Sequence, residues 1–173
     1  MRSRFWLIPA AIIASAPAEA AVYLTLKDAQ ALLFPKASFT EDFRLMTDQQ
    51  MRLIQELTDL RVPDRTFRLW RVSTGDWFVI DQVFGKDDTV YYALGLSPEG
   101  KVLGIEVLEC MERWCQVRDK GWRGQFKGWR RGSVKANGGY ENIAGTTLSS
   151  RHISEGITRV LTTFALLVLE QQP

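Results

Sequence analysis

The feature that most restricts the fold is a run of four segments between Thr66 and Glu109 in which apolar residues tend to alternate. The segments read RTFRLWRV, DWFVIDQVF, TVYYALGL and KVLGIEVLE, and they are rich in β-branched and aromatic residues. Between them lie STGD, FGKDD and SPEG, which have the composition of turns. In SPEG, Pro98 presets φ at the second position of a type I turn and Gly100 occupies the fourth. The pattern predicts a meander of four antiparallel strands.

Helices are predicted on either side of this strand region in the sequence. LTLKDAQALLFP has Thr25 as N-cap and ends at Pro35, and MTDQQMRLIQELTDL begins with a Thr47 and Gln50 capping box. The final segment, SRHISEGITRVLTTFALLVLE, has an apolar stripe at helical spacing: Ile153, Ile157, Val160, Leu161, Phe164 and Leu167 or Val168. Because one face of the sheet must be covered, we predict an α+β fold, with an antiparallel sheet of about four or more strands packed against helices.

Two intervening segments have a weaker pattern. VRDKGWRGQFKGW predicts a short helix or a helical turn, and RRGSVKANGGY is a basic, glycine-rich loop. The loop is interpreted as a solvated connector, with a mobile lid or docking patch as the alternative.

Residues 1–20 differ in kind from the rest of the chain. Two arginines precede an apolar stretch of about 14 residues, which is shorter than the roughly 20 that cross a bilayer. Ala18-Glu19-Ala20 then has the small residues of a secretory cleavage site. The sequence predicts a signal peptide that is cleaved after Ala20, and therefore export to the periplasm. An uncleaved membrane anchor is the alternative.

The remaining residues, 21–173, are predicted to form a single domain, with N-terminal helices in 21–65 and the sheet in 66–173. The chain as a whole is 46% hydrophobic and 24% charged, which suits one globular core. Loss of two arginines and one glutamate with the leader would change the net charge from +2 to +1. Such a balance gives no reason to expect a nucleic-acid partner.

The two cysteines, Cys110 and Cys115, lie close together in ECMERWCQV. In an exported protein such a pair predicts a local disulfide. Two thiols and one histidine are too few for a four-ligand zinc site, and no C-x-x-C-H haem signature is present. No metal ligand is therefore assigned.

Hydroxyl side chains cluster in YENIAGTTLSSRH, directly before the last predicted helix. A helix N-terminus combines unpaired backbone N–H groups with the positive end of the helix dipole, so it suits a phosphate. Gly145 would let the backbone approach a ligand closely, and Ser149 or Ser150 would serve as N-cap. These residues alone predict either an anion-binding site or simply a capped helix.

ENIAGTTLSSRHISEGITRVL, with GKVLGIEVLE and WRGQFKG before it, resembles the FMN-binding domain family, whose members include flavoprotein subunits of the sodium-pumping NADH:quinone oxidoreductase and of the Rnf complex. In that family a motif close to Asp-x-x-Ser-Gly-Ala-Thr carries FMN by a phosphoester to its last threonine, installed outside the cytoplasm by a flavin transferase that uses FAD. Here the motif falls on residues 141–147, with Glu141 replacing Asp and Thr146 replacing Ala. The resemblance, which spans roughly Trp77 to Leu161, implies Thr147 as the attachment residue.

The resemblance also implies which residues surround the cofactor. Backbone N–H groups would hold the phosphate, and the flavin ring would lie against the loop Glu112 to Gln116 and the segment Trp122 to Phe126. Many relatives have Glu-Thr-Pro-Gly-Leu-Gly where this chain has Glu-Arg-Trp-Cys-Gln-Val. The predicted cofactor-binding residues are Ala144, Gly145, Thr146, Thr147, Leu148, Ser149, Ser150, Glu112, Trp114, Trp122 and Gln125. For Trp114 and Trp122, a place in the core is the alternative to stacking on the ring.

These expectations together predict a periplasmic electron carrier with covalently bound FMN. Its partners would be a periplasmic flavin transferase and a membrane-bound redox protein that donates or accepts electrons. His152, the only histidine, has no obvious carboxylate partner in the sequence and is a poor candidate for a general base, so no catalytic residue is assigned. The alternatives are a noncovalent FMN-binding oxidoreductase and a flavin-free interaction module whose hydroxyls only cap the helix.

Overall fold

The computed structural model describes residues 21–85, 88–110, 115–133, 141–143 and 147–171. The predicted signal peptide and most of the predicted glycine-rich loop lie outside these ranges. The described elements are β1 (Ala21–Val22), α1 (Leu26–Leu33), β2 (Phe39–Glu41), β3 (Arg44–Leu45), α2 (Asp48–Thr58), β4 (Thr66–Val72), β5 (Trp77–Phe84), β6 (Thr89–Leu96), β7 (Val102–Cys110), a 3₁₀ turn (Gln116–Arg118), α3 (Lys120–Gly124) and α4 (Thr147–Phe164), which continues as a π-helical segment (Ala165–Leu169).

The strands form one antiparallel sheet. Its order is β1-β7-β6-β5-β4-β2, and β3 pairs separately with β4. The predicted meander is therefore present as β4 to β7, and the α+β fold class is confirmed. The strands β1, β2 and β3 were not predicted, because two or three residues are too few to display a period.

Local sequence signals fix where several elements begin and end. Thr25 caps α1 and Thr47 caps α2, and in both helices the third residue completes a capping box. The turn between β6 and β7 closes with a hydrogen bond of 2.9 Å from Gly100 N to Ser97 O. Gly100 has a φ of 75°, a conformation that favours glycine. Both predicted capping patterns and the SPEG turn are confirmed.

Helices cover both faces of the sheet, whereas the sequence required a cover on one face only. α1 packs on one face over a small core that includes Phe34, Trp70 and Phe78. The larger core lies on the other face, between the sheet and the helices α2, α3 and α4. Strands β5 and β6 contribute to both cores, which is why long stretches of their sequence are apolar on consecutive residues.

The last helix is the centre of the larger core. Its predicted apolar stripe is buried, and Ile153, Ile157 and Phe164 are fully enclosed. Thr147–Leu169 is the one helix in the described ranges whose length and mean hydropathy, 1.3, would suffice to cross a membrane. However, 72% of its most apolar window is buried within the fold, so its apolar character is explained by core packing.

Gly156 determines how closely α4 approaches the sheet. A Cβ at this position would lie 2.5 Å from the Tyr92 hydroxyl oxygen and 2.6 Å from Val83 Cγ1, and neither neighbour is exposed. Because protein cores are close-packed, these neighbours have little room to move away. Gly156→Ala is expected to lower the free energy of unfolding by about 1–3 kcal/mol, the usual cost of overpacking, in urea denaturation.

Gly124, in α3, provides a matched control for this substitution. No atom lies within 4 Å of a Cβ placed there. Alanine is favoured over glycine within a helix, so Gly124→Ala is expected to be neutral or to stabilise by up to about 1 kcal/mol. Equal destabilisation by the two substitutions would contradict the close approach of α4 to the sheet.

Candidate functional site

The predicted attachment residue, Thr147, is the first residue of α4. Its side chain is exposed, and the next residue, Leu148, is 48% exposed. In the first turn of a helix, backbone N–H groups lack intrahelical acceptors and the helix dipole is positive. The Thr147 side chain is therefore both exposed and located where the helix favours a negatively charged group. Ala144, Gly145 and Thr146 lie outside the described residues.

The two serines that follow have a different role from the one predicted. Because α4 already begins at Thr147, Ser149 and Ser150 lie within its first turns, and the prediction that one of them is the N-cap is wrong. Both are fully buried. The buried Ser150 hydroxyl, in the first turns of the helix, finds no hydrogen-bond partner among the described residues.

α3 holds the start of the motif through its backbone. Trp122 Nε1 donates a hydrogen bond of 2.6 Å to Glu141 O, and Glu141 N donates one of 2.6 Å to Gln125 Oε1. Both predicted residues, Trp122 and Gln125, are therefore brought to the motif segment. Since only backbone atoms of Glu141 take part, these two bonds are compatible with either Asp or Glu at this position.

Trp122 belongs to the core. It is 8% exposed, and its ring meets Phe126 edge to face at a centroid distance of 5.0 Å. Its indole N–H is already bonded to the motif segment. In this arrangement Trp122 positions residue 141 and offers little free surface on which a ring could stack.

The rest of α3 is fixed to the sheet. Arg123, which is 8% exposed, forms an ion pair of 2.5 Å with Glu106 on β7. Asp119 caps the helix by accepting a hydrogen bond of 2.7 Å from Trp122 N. The ion pair holds α3, which binds the motif segment, against β7.

A disulfide joins Cys110, the last residue of β7, to Cys115. Their Cα atoms are 6.2 Å apart, and Cys110 pairs with Val90 in the sheet. The bridge therefore ties Cys115 to the end of β7 in the sheet. Glu112 and Trp114, which the sequence placed near the flavin ring, lie outside the described residues.

His152 holds the start of α4 to the end of β5. Its Nδ1 lies 2.6 Å from Phe84 O. A carbonyl oxygen can only accept, so Nδ1 carries the proton of this hydrogen bond. No hydrogen bond joins His152 to a carboxylate within the described part of the chain, which leaves it without the orienting partner of a general base.

A buried polar network under α4 was missed by sequence reasoning. Asp81 Oδ2 accepts hydrogen bonds of 2.7 Å from the Tyr92 hydroxyl and of 2.7 Å from Arg159 Nη2. Although burial acts to lower it, the Asp81 carboxylate raises the pKa of Arg159. The available signal was a single charged residue in each of two mainly apolar segments: Asp81 in VIDQVF and Arg159 in ITRVL.

The environment of Tyr92 makes stability depend on alkaline pH. Burial, assisted by the Asp81 carboxylate, raises the pKa of Tyr92 well above its ordinary value. Between the ordinary tyrosine pKa, about 10, and the raised value, the unfolded chain loses this proton while the folded chain keeps it. Stability is therefore expected to fall as the pH rises through this range.

This pH dependence can be measured by comparing wild type with Tyr92→Phe in urea at a series of alkaline pH values. The decline above pH of about 10 is expected to be less steep in the variant, because its buried ring has no proton to lose. Parallel stability curves for the two proteins would contradict a raised pKa at Tyr92.

Comparison with known proteins assigns no family and no function to this chain. No protein-family model matches the chain, and no curated protein is significantly similar to it. Among solved structures, the crystal structure of Shewanella oneidensis NqrC is similar with a TM-score of 0.48 and 14% sequence identity, over 77% of this chain and 87% of that chain. No residue role is transferred from a similarity at this level.

Within the described ranges, no group of three or more His, Cys, Asp or Glu side chains could hold a metal ion. The candidate site combines an exposed hydroxyl at a helix N-terminus, a buried serine hydroxyl without a hydrogen-bond partner among the described residues, and a motif segment held by α3.

Proposed function

We propose that this protein is a periplasmic electron carrier that holds FMN through a phosphoester to the Thr147 hydroxyl. The proposal combines the resemblance of the motif to the FMN-binding domain family with the position of Thr147 in the fold. The observation that carries it is that the last threonine of the motif is the exposed first residue of α4. Its partners are a periplasmic flavin transferase and a membrane-bound redox protein.

The residues present at this site fit a phosphate. Backbone N–H groups in the first turn of a helix generally lack intrahelical acceptors and can donate to phosphate oxygens, and the dipole of an 18-residue helix favours the charge of a phosphate. Ser150 supplies a buried hydroxyl that still lacks a partner among the described residues. A tether through the phosphate leaves the flavin ring unmodified and prevents loss of a small cofactor from an exported protein.

The segment before the tether is held in place by the chain itself. Trp122 and Gln125 bind the backbone of Glu141, and Ile143 packs against the larger core. These contacts hold residues 141–143, which precede the proposed tether by a few residues in the sequence. When bound, FMN supplies the one-electron and two-electron redox chemistry, and the protein supplies its position and surroundings.

A carrier function is favoured over a stand-alone enzyme by the residues around the helix N-terminus. His152 is bonded to a backbone carbonyl, and Glu155 forms an ion pair of 2.7 Å with Arg151. These interactions leave no bonded acid–base pair next to Thr147 within the described ranges. Without such a pair, proton transfer to a small substrate would lack a positioned group.

Loading can be tested by co-expression with a periplasmic flavin transferase and an established substrate of that transferase as positive control. After denaturation, this protein is expected to remain fluorescent on a gel and to gain the mass of FMN less one water. An unmodified mass, under conditions that label the positive control, would rule out the tether.

The carrier function requires a separate experiment with the flavin-loaded protein. The chemically reduced protein is expected to be reoxidised by a membrane redox acceptor and to show no sustained turnover of small organic substrates by itself. Rapid catalytic oxidation of a small molecule without a protein partner would instead support the oxidoreductase alternative.

A further inference from the structure

A cleft with a volume of about 480 Å³ opens beside α4. It is bounded by α4, by the hairpin ends of β5 and β6 and by the segment that follows α2. This volume lies within the range of small-molecule binding sites. Thr147 is not among the residues that line the cleft, so the cleft is distinct from the proposed tether.

Part of the wall is apolar. Leu60, Pro63, Val83 and Phe84 line it. Phe84 is 64% exposed although it is a large aromatic residue at the end of β5. A concave surface with an accessible aromatic ring provides contact area for the apolar body of a small ligand.

One cation at the cleft has no acidic partner among the described residues. Arg159 is paired with Asp81 and Glu155 is paired with Arg151, both at 2.7 Å. Arg61 also lines the cleft, and it forms no ion pair with any residue that the structure describes. Among the described residues, the charged groups that line the cleft and their partners therefore sum to one positive charge.

The backbone of Arg61 is held at the cleft. Its carbonyl oxygen accepts a hydrogen bond of 3.1 Å from Arg159 Nη1, which also anchors this segment to α4. A guanidinium presents several donors in one plane and binds carboxylate, sulfonate or phosphate groups well. An anionic group at Arg61 would complete the charge balance of the cleft.

The remaining polar residues can orient a ligand. Thr89, Gln82 and His152 line the same cleft. Because His152 Nδ1 donates to Phe84 O, Nε2 of the neutral ring is a hydrogen-bond acceptor. A hydroxyl or amine on the ligand would find an acceptor there.

We propose that this cleft binds a small molecule with an apolar aromatic body and a single anionic group. The anion lies at Arg61, and the body lies against Phe84, Val83 and Leu60. This site does not depend on the flavin tether, and it can be tested on protein that carries no flavin.

The probe for this test is anilinonaphthalene sulfonate, an aromatic sulfonate whose fluorescence increases in apolar surroundings. Its uncharged relative, phenylnaphthylamine, has the same aromatic body without the anion. Arg61→Gln is expected to weaken binding of the sulfonate about fivefold, which corresponds to about 1 kcal/mol, and to leave the neutral probe little affected. Phe84→Ala is expected to weaken both probes.

Arg52→Gln is the matched control. Arg52 is exposed on α2 and does not line the cleft, and the substitution removes the same positive charge as Arg61→Gln. It is expected to bind both probes as the wild type does, and circular dichroism verifies that each variant is folded. The proposal is overturned by the absence of saturable binding, by equal effects of Arg61→Gln and Arg52→Gln, or by equal loss of both probes in Arg61→Gln.

Discussion

Replacing Thr147 with alanine is expected to abolish covalent flavin on the chain, because alanine has no hydroxyl to form the ester. The residue is exposed at the first position of α4, so the substitution removes no buried contact. Stability should change by no more than about 0.5 kcal/mol, as for most surface substitutions. The measurement is in-gel flavin fluorescence of denatured protein after co-expression with a periplasmic flavin transferase.

Two threonine controls make this result specific. Thr158→Ala removes a hydroxyl from the same helix, where it donates a hydrogen bond of 3.0 Å to Ser154 O, and this variant should be labelled like the wild type. Thr146→Ala should also remain labelled, since the motif places the ester one residue later. Label that persists in Thr147→Ala and disappears in Thr146→Ala would place the ester on Thr146 instead.

Neutralising Asp81 is expected to have the largest effect on stability. Asp81→Asn keeps the shape of the side chain but removes the charge that balances Arg159, whose side chain is only 10% exposed. Breaking a buried pair leaves an uncompensated charge and typically costs about 3–5 kcal/mol. The same oxygen also accepts from Tyr92, so two partners are affected at once. Chemical denaturation measures this loss of stability. The slope of the free energy of unfolding against denaturant concentration is expected to stay unchanged.

Glu170→Gln is the isosteric control on a surface ion pair. Glu170 pairs with Arg131, and the two side chains are 53% and 41% exposed. Because exposed pairs are screened by water, this substitution should cost less than about 1 kcal/mol. Similar losses for Asp81→Asn and Glu170→Gln would show that the buried network contributes no more than a surface pair.

The periodic parts of the fold could be predicted from the sequence, and the contacts between distant charges could not. Strands β4 to β7 have seven to nine residues each, long enough for their pattern and turns to be read. Asp81 and Arg159 are 78 residues apart, and periodicity contains no information about which buried charges meet. Periodicity likewise contains no information about the hydrogen bond from Trp122 Nε1 to Glu141 O, because that bond depends on tertiary packing.

At the candidate site the sequence pointed to a segment rich in hydroxyl residues but did not determine where the helix within it begins. Several hydroxyl residues in succession are all favourable N-caps, so propensity alone could not fix where α4 begins. The structure places that start at Thr147. Ala144 stands where the family motif has Ser, so under the proposed function recognition by a transferase would depend on the remaining motif positions and on how α3 supports the segment.

The most direct measurement is mass spectrometry of the tryptic peptide that spans residues 136–151, taken from protein purified from the envelope of its native host. The account predicts that this peptide gains the mass of FMN less one water and that fragment ions place the addition on Thr147. A colourless protein whose peptide has every hydroxyl unmodified would contradict it.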